Sequence, residues 1–289
     1  MSQGNKTYRG NCHCGAFVYE AECPEIKEVT SCNCSICVRK GYLWVFPGKD
    51  NFRFVKGDAD GLTGYEFGQK MINHKFCPTC GTPLLGIGSD KLPPSMAIAL
   101  NAHAIQGMDT WSLTKKQYDG KSGLPGDFTL GEHKGALPVE KEGCKLYKGS
   151  CHCGAVTVAV TSPPLDETYK DRIVECNCSI CERNGYVWCY PPPESVVLSG
   201  AEENIGRYQF NWHILEKTFC KICGVPMTNK AVNMTKEQEE ALPEQAVPWR
   251  ALTLKSHAVN VRVFEGVDLD KLSPQRLDFK DKGPSYAAP

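Results

Sequence analysis

The sequence lacks an excess of either charge, a long hydrophobic run and an apolar amino-terminal segment. Lysine plus arginine and aspartate plus glutamate number 33 each in 289 residues, so the chain has none of the basic excess of a dedicated nucleic-acid binder. No apolar stretch approaches the roughly 20 residues that a membrane-spanning helix needs. The polar start, MSQGNKTYRG, is unlike a secretory signal peptide, and the sequence therefore predicts a protein of the cytosol or nucleus.

Cysteine, in contrast, is abundant and ordered. Fourteen of the seventeen cysteines fall into two sets of seven, each reading Cys-x-Cys, then Cys-x-Cys-x-x-Cys, then Cys-x-x-Cys. In a chain without a secretory signal, such spacing is typical of metal sites rather than disulfides, and it predicts zinc in a reducing compartment. The sets are Cys12, Cys14, Cys32, Cys34, Cys37, Cys77 and Cys80, and then Cys151, Cys153, Cys176, Cys178, Cys181, Cys220 and Cys223.

The repeat extends well beyond cysteine. Gly-Tyr-x-Trp begins at Gly41 and again at Gly185, and Tyr-x-Phe begins at Tyr65 and again at Tyr208. The offset between the copies grows from 143 (Cys77 to Cys220) to 159 (Asn101 to Asn260). This growth predicts an insertion in the second copy, within residues 230–250, which we expect to form a surface helix or loop.

The length and the repeat together predict two domains. We place the first at residues 1–130 and the second at 144–280, with a join within 120–143, where glycine, proline and charge dominate. Short β-branched and aromatic runs predict strands, and 175–183 is typical of a metal-binding knuckle. The predicted fold class is mostly β, with two tandem zinc-stapled antiparallel β domains. The predicted strands include 16–20, 42–46, 52–55, 155–160, 196–198 and 259–264.

The first and last cysteine pairs of each copy are predicted to form a closed, structural zinc site. Each pair presents two sulfurs from one tight turn, and two pairs supply the four thiolates of a tetrahedral structural zinc. The residues are Cys12, Cys14, Cys77 and Cys80 in the first copy, and Cys151, Cys153, Cys220 and Cys223 in the second.

The three cysteines left in each copy are predicted to hold a second zinc with an open position, giving up to four zinc ions per chain. Three protein ligands leave room for water or substrate, as in catalytic zinc sites. A closed site completed by histidine, or a site without metal, stays an alternative. His13 and His152 are repeated but lie between closed-site ligands, whereas His74 and His103 are not repeated. The triplets are Cys32, Cys34 and Cys37, and Cys176, Cys178 and Cys181; Cys23, Cys144 and Cys189 are interpreted as ordinary thiols.

The order Gly-x-Cys-x-Cys-Gly, Cys-x-Cys-x-x-Cys, Tyr-x-Phe and Phe-Cys-x-x-Cys-Gly resembles the glutathione-dependent formaldehyde-activating enzyme and centromere protein V family, as two copies over nearly the whole chain. The resemblance implies a fold of the β-tent type and the same division into structural and open zinc sites. Many members have histidine within the triplet, where this chain has Asn33 and Asn177. Because asparagine is no general base near neutral pH, a proton-transfer role there would be lost.

The resemblance implies an enzyme that reversibly joins glutathione to formaldehyde, giving S-hydroxymethylglutathione, or a related carbon–sulfur lyase that acts on a thiol adduct. The six triplet cysteines are then the catalytic residues. Arg39, Lys40 and Arg183 follow the triplets and could attract carboxylates, or be solvated loop charges. Trp44 and Trp188, with the neighbouring tyrosines, could wall a pocket or belong to the core.

The alternative function is a non-catalytic zinc module that binds a protein or nucleic acid, as the centromere-protein branch suggests. Zero net charge argues against the nucleic-acid version. The expected partner of the enzyme is a small-molecule thiol or aldehyde adduct, and no membrane is expected. The two copies are expected to pack on each other as a built-in dimer.

Overall fold

The computed structural model describes residues 4–123, 128–280, 282 and 285–289. It confirms a mostly β fold in which the second copy repeats the first strand for strand; the β-tent type and the boundaries at 130 and 144 stay predictions. The strands of the first copy are β1 (Lys6–Asn11), β2 (Val18–Cys23), β3 (Glu28–Cys32), β4 (Trp44–Val45), β5 (Phe52–Lys56), β6 (Thr63–Tyr65), β7 (Ile72–Phe76), β8 (Pro83–Gly88), β9 (Ile98–Asn101) and β10 (Thr114–Tyr118). Those of the second are β11 (Lys145–Ser150), β12 (Val156–Ser162), β13 (Ile173–Cys176), β14 (Trp188–Cys189), β15 (Val196–Gly200), β16 (Ile205–Tyr208), β17 (Leu215–Cys220), β18 (Pro226–Ala231), β19 (Ala258–Asn260) and β20 (Gln275–Leu277).

The helices are short. The α-helices are α1 (Ser35–Lys40), α2 (Gly120–Gly123), α3 (Ser179–Asn184), α4 (Lys236–Glu240) and α5 (Val247–Thr253). Turns of 3-10 helix occur at Pro94–Met96, Ala102–Ala104, Pro193–Ser195, Glu202–Asn204, Glu244–Ala246, Val261–Val263 and Leu269–Lys271. Over the described ranges, no helix has the length and apolar character needed to cross a lipid bilayer.

Each copy builds one three-stranded and one seven-stranded sheet with the same connectivity. The small sheets have the orders β1-β2-β5 and β11-β12-β15, and the large ones β10-β3-β4-β9-β8-β7-β6 and β20-β13-β14-β19-β18-β17-β16. The pairing is antiparallel except for β10 with β3 and β20 with β13, which run parallel. The predicted antiparallel character therefore holds for all but one pair in each copy.

A buried asparagine repeated in both copies joins two strands of the large sheet to the residue just before a third. The Asn101 side-chain amide donates to the carbonyl oxygen of Pro83 at 2.8 Å, and its oxygen accepts from the Leu43 backbone at 3.5 Å. Asn260 makes the same two contacts with Pro226 and Val187. Because an apolar residue there would leave these buried backbone groups unpaired, this network explains why asparagine recurs in the sequence pattern.

Most predicted strands are confirmed, with shifted ends. The run 259–264 is the main exception, because the strand stops at Asn260 and a 3-10 turn follows. The Asn260 side chain accepts a hydrogen bond from the Arg262 backbone, which favours the turn over further extension. The predicted strand 42–46 is also shorter, since only Trp44 and Val45 pair with neighbours.

The predicted insertion in the second copy is confirmed as helical. It contains α4 and α5, and α4 begins with a capping box formed by Thr235 and Gln238. Arg250 is 5% exposed; it pairs with Glu239 of α4 at 2.6 Å and donates to the Ile214 backbone carbonyl at 3.5 Å, which anchors the segment to the domain. The insertion is therefore packed against the fold rather than projecting as a loop.

The segment after the last strand of each copy packs on the other copy. Phe128 follows β10 and lies 5.1 Å from the ring of His152, and Tyr286 follows β20 and stacks on His13 at 4.7 Å. Residues 124–127 of the predicted join lie outside the described residues. These exchanged contacts support the predicted packing of the two copies as a built-in dimer.

The two copies approach each other closely at Gly224, a position where a side chain would not fit. Gly224 has a φ of +69°, and a Cβ there would lie 2.6 Å from the ring of Phe76 and 2.7 Å from the Lys40 ammonium of the other copy. Gly266 has a similar φ of +73° but faces open space. The first glycine therefore serves both backbone and interface, and the second serves only the backbone.

We expect Gly224→Ala to lower the free energy of unfolding more than Gly266→Ala does. Both substitutions carry the left-handed backbone cost of about 1–2 kcal/mol. Gly224→Ala should add about 1–3 kcal/mol because it overpacks the contact between copies. Urea denaturation of the two full-length variants measures the difference, and equal losses would mean that the copies do not approach closely at this point.

Candidate metal centres and the site between the copies

The fourteen repeated cysteines form four clusters in space. Within each cluster, the sulfur atoms lie within 4.8 Å of one another. Cys23, Cys144 and Cys189 lie outside the clusters, as expected. The clusters are Cys12, Cys14, Cys77 and Cys80; Cys151, Cys153, Cys220 and Cys223; Cys32, Cys34 and Cys37; and Cys176, Cys178 and Cys181.

The four-sulfur clusters are built from two tight turns that carry backbone donors. Gly15 and Gly81 adopt φ values of +72° and +71°, which let the chain reverse directly after a cysteine. The Phe17 backbone N–H donates to the Cys12 sulfur at 3.3 Å. Within the same cluster, the Cys14 and Cys77 sulfurs lie 3.6 Å apart. Four crowded sulfurs with N–H···S donors fit a tetrahedral zinc.

Each triplet lies where a strand passes into a short helix. In the first copy, β3 ends at Cys32 and α1 carries Cys37, while Cys34 occupies the position just before the helix. The Cys34 N–H donates to the Cys32 sulfur at 3.4 Å, and Gly41, with a φ of +60°, ends the helix. The second triplet is built in the same way on β13 and α3. The predicted knuckle is therefore a strand–helix junction.

Three sulfurs this close cannot all be ionised without a cation. The neighbouring Cys32 and Cys34 raise the pKa of the buried Cys37 thiol well above its usual value, and the same crowding raises the pKa of Cys176. Among the described residues, no histidine or carboxylate joins either triplet within the cluster distance. A soft divalent ion such as zinc would stabilise the three thiolates and keep one coordination position for a further ligand.

The closed cluster of one copy contacts the triplet of the other through a histidine. His152, between Cys151 and Cys153, bonds the Tyr65 hydroxyl at 2.8 Å and the Ser35 hydroxyl at 2.9 Å. Burial lowers the pKa of His152 to about 4, so the ring is neutral near pH 7. The equivalent contacts join His13 to Tyr208 at 2.8 Å and to Ser179 at 3.0 Å.

Each triplet is therefore positioned partly by the opposite copy. Ser35 lies inside the first triplet, and Tyr65 begins the Tyr-x-Phe motif, whose Phe67 also packs on His152 with ring centroids 4.4 Å apart. The sequence shows the histidines and the Tyr-x-Phe motifs as separate repeats. Only the fold shows that they are contact partners across the interface.

The interpretation of Arg39, Lys40 and Arg183 as solvated loop charges is wrong. They are 7%, 0% and 6% exposed. Arg183 donates to the Asn11 backbone carbonyl at 3.3 Å and to its side-chain oxygen at 3.1 Å, and Arg39 donates to the Ser150 backbone carbonyl at 3.4 Å. These side chains are buried because each triplet helix packs on the opposite copy, which a local sequence pattern does not reveal.

One buried ammonium lies beside the cysteine clusters in each half, but at different positions. In the first copy it is Lys40, which has no hydrogen-bond partner among the described residues and lies 4.5 Å from the centre of the Phe76 ring. Burial lowers its pKa to about 8. In the second copy Asn184 takes the Lys40 position, and Lys217 takes that of His74.

A cavity of about 660 Å³ lies between the copies and is reached by both triplets. Cys37 and Cys181 line it, together with Tyr42 and Tyr186, which are both buried. The cavity is thus lined by corresponding residues of the two copies. The sequence left open whether these tyrosines belong to the core or line a pocket. In the structure they do both.

Two features of the site were not predicted from the sequence. Asn33 fixes the segment after β10, since its amide donates to Asp119 at 2.9 Å; Asn177 does the same with Asp278 at 2.8 Å. Glu182 lines the cavity, and burial raises its pKa to about 7. Glu182 corresponds to an apolar residue in the first copy, so the repeat pattern gave no signal for it.

Comparison with known proteins places these observations in a family. The profile of the glutathione-dependent formaldehyde-activating enzyme family matches residues 7–118 and 146–243. A crystal structure of a Rhodobacter sphaeroides protein is similar at 25% sequence identity, covering 45% of this chain and 97% of that protein, with a TM-score of 0.33. The two profile matches coincide with the two structural copies and include all four cysteine clusters. The chain therefore belongs to the glutathione-dependent formaldehyde-activating enzyme family, of which it carries two domains in tandem.

Proposed function

We propose that the chain is a zinc-dependent carbon–sulfur lyase that acts on a thiol adduct, such as the adduct of glutathione and formaldehyde. The family name supports a formaldehyde-activating role. The observation that carries the proposal is the triplet geometry: three sulfurs within 4.8 Å and, among the described residues, no fourth histidine or carboxylate ligand. Catalytic zinc sites use three protein ligands, whereas the four-sulfur clusters suit structural zinc.

The proposed reaction joins a thiol to formaldehyde without a change of oxidation state. The sulfur bonds to the carbonyl carbon, the π electron pair moves to the oxygen, and the proton lost by the thiol is balanced by one gained at that oxygen. The reverse reaction is the lyase direction. Zinc held by a triplet would keep the incoming thiol ionised, which for a thiol of pKa about 8.5 is a gain of about 2 kcal/mol at pH 7.

Positioning would contribute more than ionisation. Holding the thiolate and the aldehyde in reacting geometry can supply about 7–11 kcal/mol. The cavity between the copies has the size of a small-molecule site, and both triplets open into it. Its walls include rigid strands and the triplet helices, so the chain itself would orient the two reactants.

Tyr42 is a buried residue beside the cavity and supports its wall. Its ring stacks on Trp44 at 3.9 Å, which fixes its orientation, and its hydroxyl has no hydrogen-bond partner among the described residues. Burial raises the pKa of Tyr42 well above its ordinary value, so the phenol keeps its proton. Because the hydroxyl itself is buried, the ring supports the cavity wall and does not contact a bound aldehyde. Tyr186 corresponds to it in the second copy and also lines the cavity.

Metal analysis combined with thiol titration tests the proposal. We expect the full-length protein to bind four zinc ions, and a Cys34→Ser/Cys178→Ser double variant to bind two and to lose about 100-fold or more in the rate of formaldehyde condensation with glutathione. In the cobalt-substituted protein, added glutathione should change the visible spectrum of two ions. Each single variant shows whether its own copy is active.

Cys144→Ala serves as the matched control, because this half-buried thiol lies outside every cluster. It should keep four metal ions and the full rate. If the protein binds four metal ions whose spectrum does not change when a thiol is added, and if it does not speed the loss of formaldehyde, the result would instead support a non-catalytic zinc module.

A further inference from the structure

A second cleft, of about 310 Å³, opens onto the triplet of the second copy only. We call it the aromatic cleft, and it is lined by Trp188, Tyr190, Trp212, Trp249 and Phe279. The rings of Trp249 and Phe279 meet edge to face at 5.8 Å, which joins the insertion to the segment after β20. All three cysteines of the triplet also line this cleft, so a molecule bound there can reach their sulfurs.

The charges around the aromatic cleft have one sign. Arg172, Lys217, Lys280 and Lys282 line it, and no carboxylate does so among the described residues. Lys217 is the innermost of the four, at 5% exposed, with its ammonium 5.1 Å from the centre of the Trp188 ring. Over the described ranges it has no salt-bridge partner. The Cys181 thiolate is a negative group that Lys217 stabilises, and the other three cations of the cleft lining face no carboxylate within it, which favours an anionic ligand.

The first copy lacks three of the five aromatic residues of this cleft, and it lacks Lys217. Gln69 stands where the second copy has Trp212, and His74 stands where it has Lys217. Trp249 belongs to the insertion, which the first copy lacks, and Phe279 corresponds to Gly120. Trp212, Trp249, Phe279 and Lys217 are therefore features of one copy rather than of the repeat.

We propose that the second copy takes an aromatic thiol that bears an anionic group, or the aldehyde adduct of such a thiol. This inference rests on the proposed function, since it names the thiol that the second triplet would hold. The aromatic body packs against the rings of the cleft, and the anionic group pairs with Lys217 and the exposed lysines. Glutathione is polar along its whole length and would leave these rings without an apolar partner.

The test measures binding to the full-length, zinc-loaded protein by calorimetry. The probes are 4-mercaptobenzoate, glutathione, 3-mercaptopropionate, which lacks the ring, and 4-methylbenzoate, which lacks the thiol. We expect 4-mercaptobenzoate to bind at least about tenfold more tightly than glutathione and 3-mercaptopropionate, a difference of about 1.4 kcal/mol. Lys217→Met and Trp249→Ala should each weaken it about tenfold, whereas Gln69→Ala in the first copy should change nothing.

The outcomes separate this inference from the proposed function. If glutathione binds as tightly as 4-mercaptobenzoate, or if both cleft variants bind normally, the substrate class is wrong, although thiol-induced changes in the cobalt spectrum would leave the proposed function standing. If 4-methylbenzoate binds and depends on Lys217 while no thiol changes that spectrum, the anionic aromatic class holds and the proposed function fails. Thermal unfolding of Lys217→Met and Trp249→Ala checks that each variant is folded.

Discussion

Replacing Cys223 with alanine is expected to unfold the second copy and to leave little soluble protein. Cys223 is 0% exposed, and its sulfur belongs to a four-sulfur cluster that joins two distant turns. Structural zinc binds with about 10–16 kcal/mol, which rivals the total stability of a domain at about 5–15 kcal/mol. Soluble yield, zinc content per chain and circular dichroism measure the loss.

Cys189→Ala provides the matched control for this prediction. Cys189 is also 0% exposed and lies in the second copy, but outside every cluster. Its replacement should cost about 1 kcal/mol, the usual effect of a single core substitution, and leave the zinc content unchanged. A Cys223→Ala protein of normal yield, melting temperature and zinc content would show that the cluster is not the structural centre of the domain.

Separating the copies is expected to produce chains that associate with themselves. Residues 4–123 expressed alone would expose the surface around Lys40 and Phe76, which the second copy covers. His13 would also lose its bonds to Tyr208 and Ser179. Sedimentation velocity should show dimers or larger species, because burying apolar surface and pairing polar groups both favour association.

Co-expression with residues 128–289 provides the complementary measurement. The two chains should recover a one-to-one complex with the zinc content of the intact protein. A separate copy that stays monomeric and gives the dispersed NMR spectrum of a folded domain would count against the built-in dimer.

The sequence predicts much of this protein because its metal-binding pattern is local. Ligand spacing at Cys32, Cys34 and Cys37 requires a compact turn, and the structure brings these three sulfurs together from one short segment. Strand runs such as 52–55 are similarly local and are confirmed as β5. The parallel pairing of β10 with β3 was not predicted, because it joins segments far apart in the chain.

The sequence predicts that the two copies pack on each other, but not which residues meet at their contact. Arg39 and Arg183 lie in short charged segments that resemble solvated loops, yet the fold buries both side chains against the opposite copy. Trp249 has the appearance of a surface residue in a charged insertion, but it lines a cleft beside the second triplet. Burial of a residue by a distant part of the chain leaves no periodic signal, so these roles appear only in the folded structure.

The position of the buried ammonium has a consequence for how the two halves can diverge. Two identical subunits would carry every replacement twice, so a lysine placed at the end of one triplet helix would appear at both. Because the halves share one chain, each can place a buried ammonium beside the cysteine clusters from a different element, Lys40 from α1 and Lys217 from β17. Covalent linkage thus frees each half to change its own charge pattern while the shared interface stays intact.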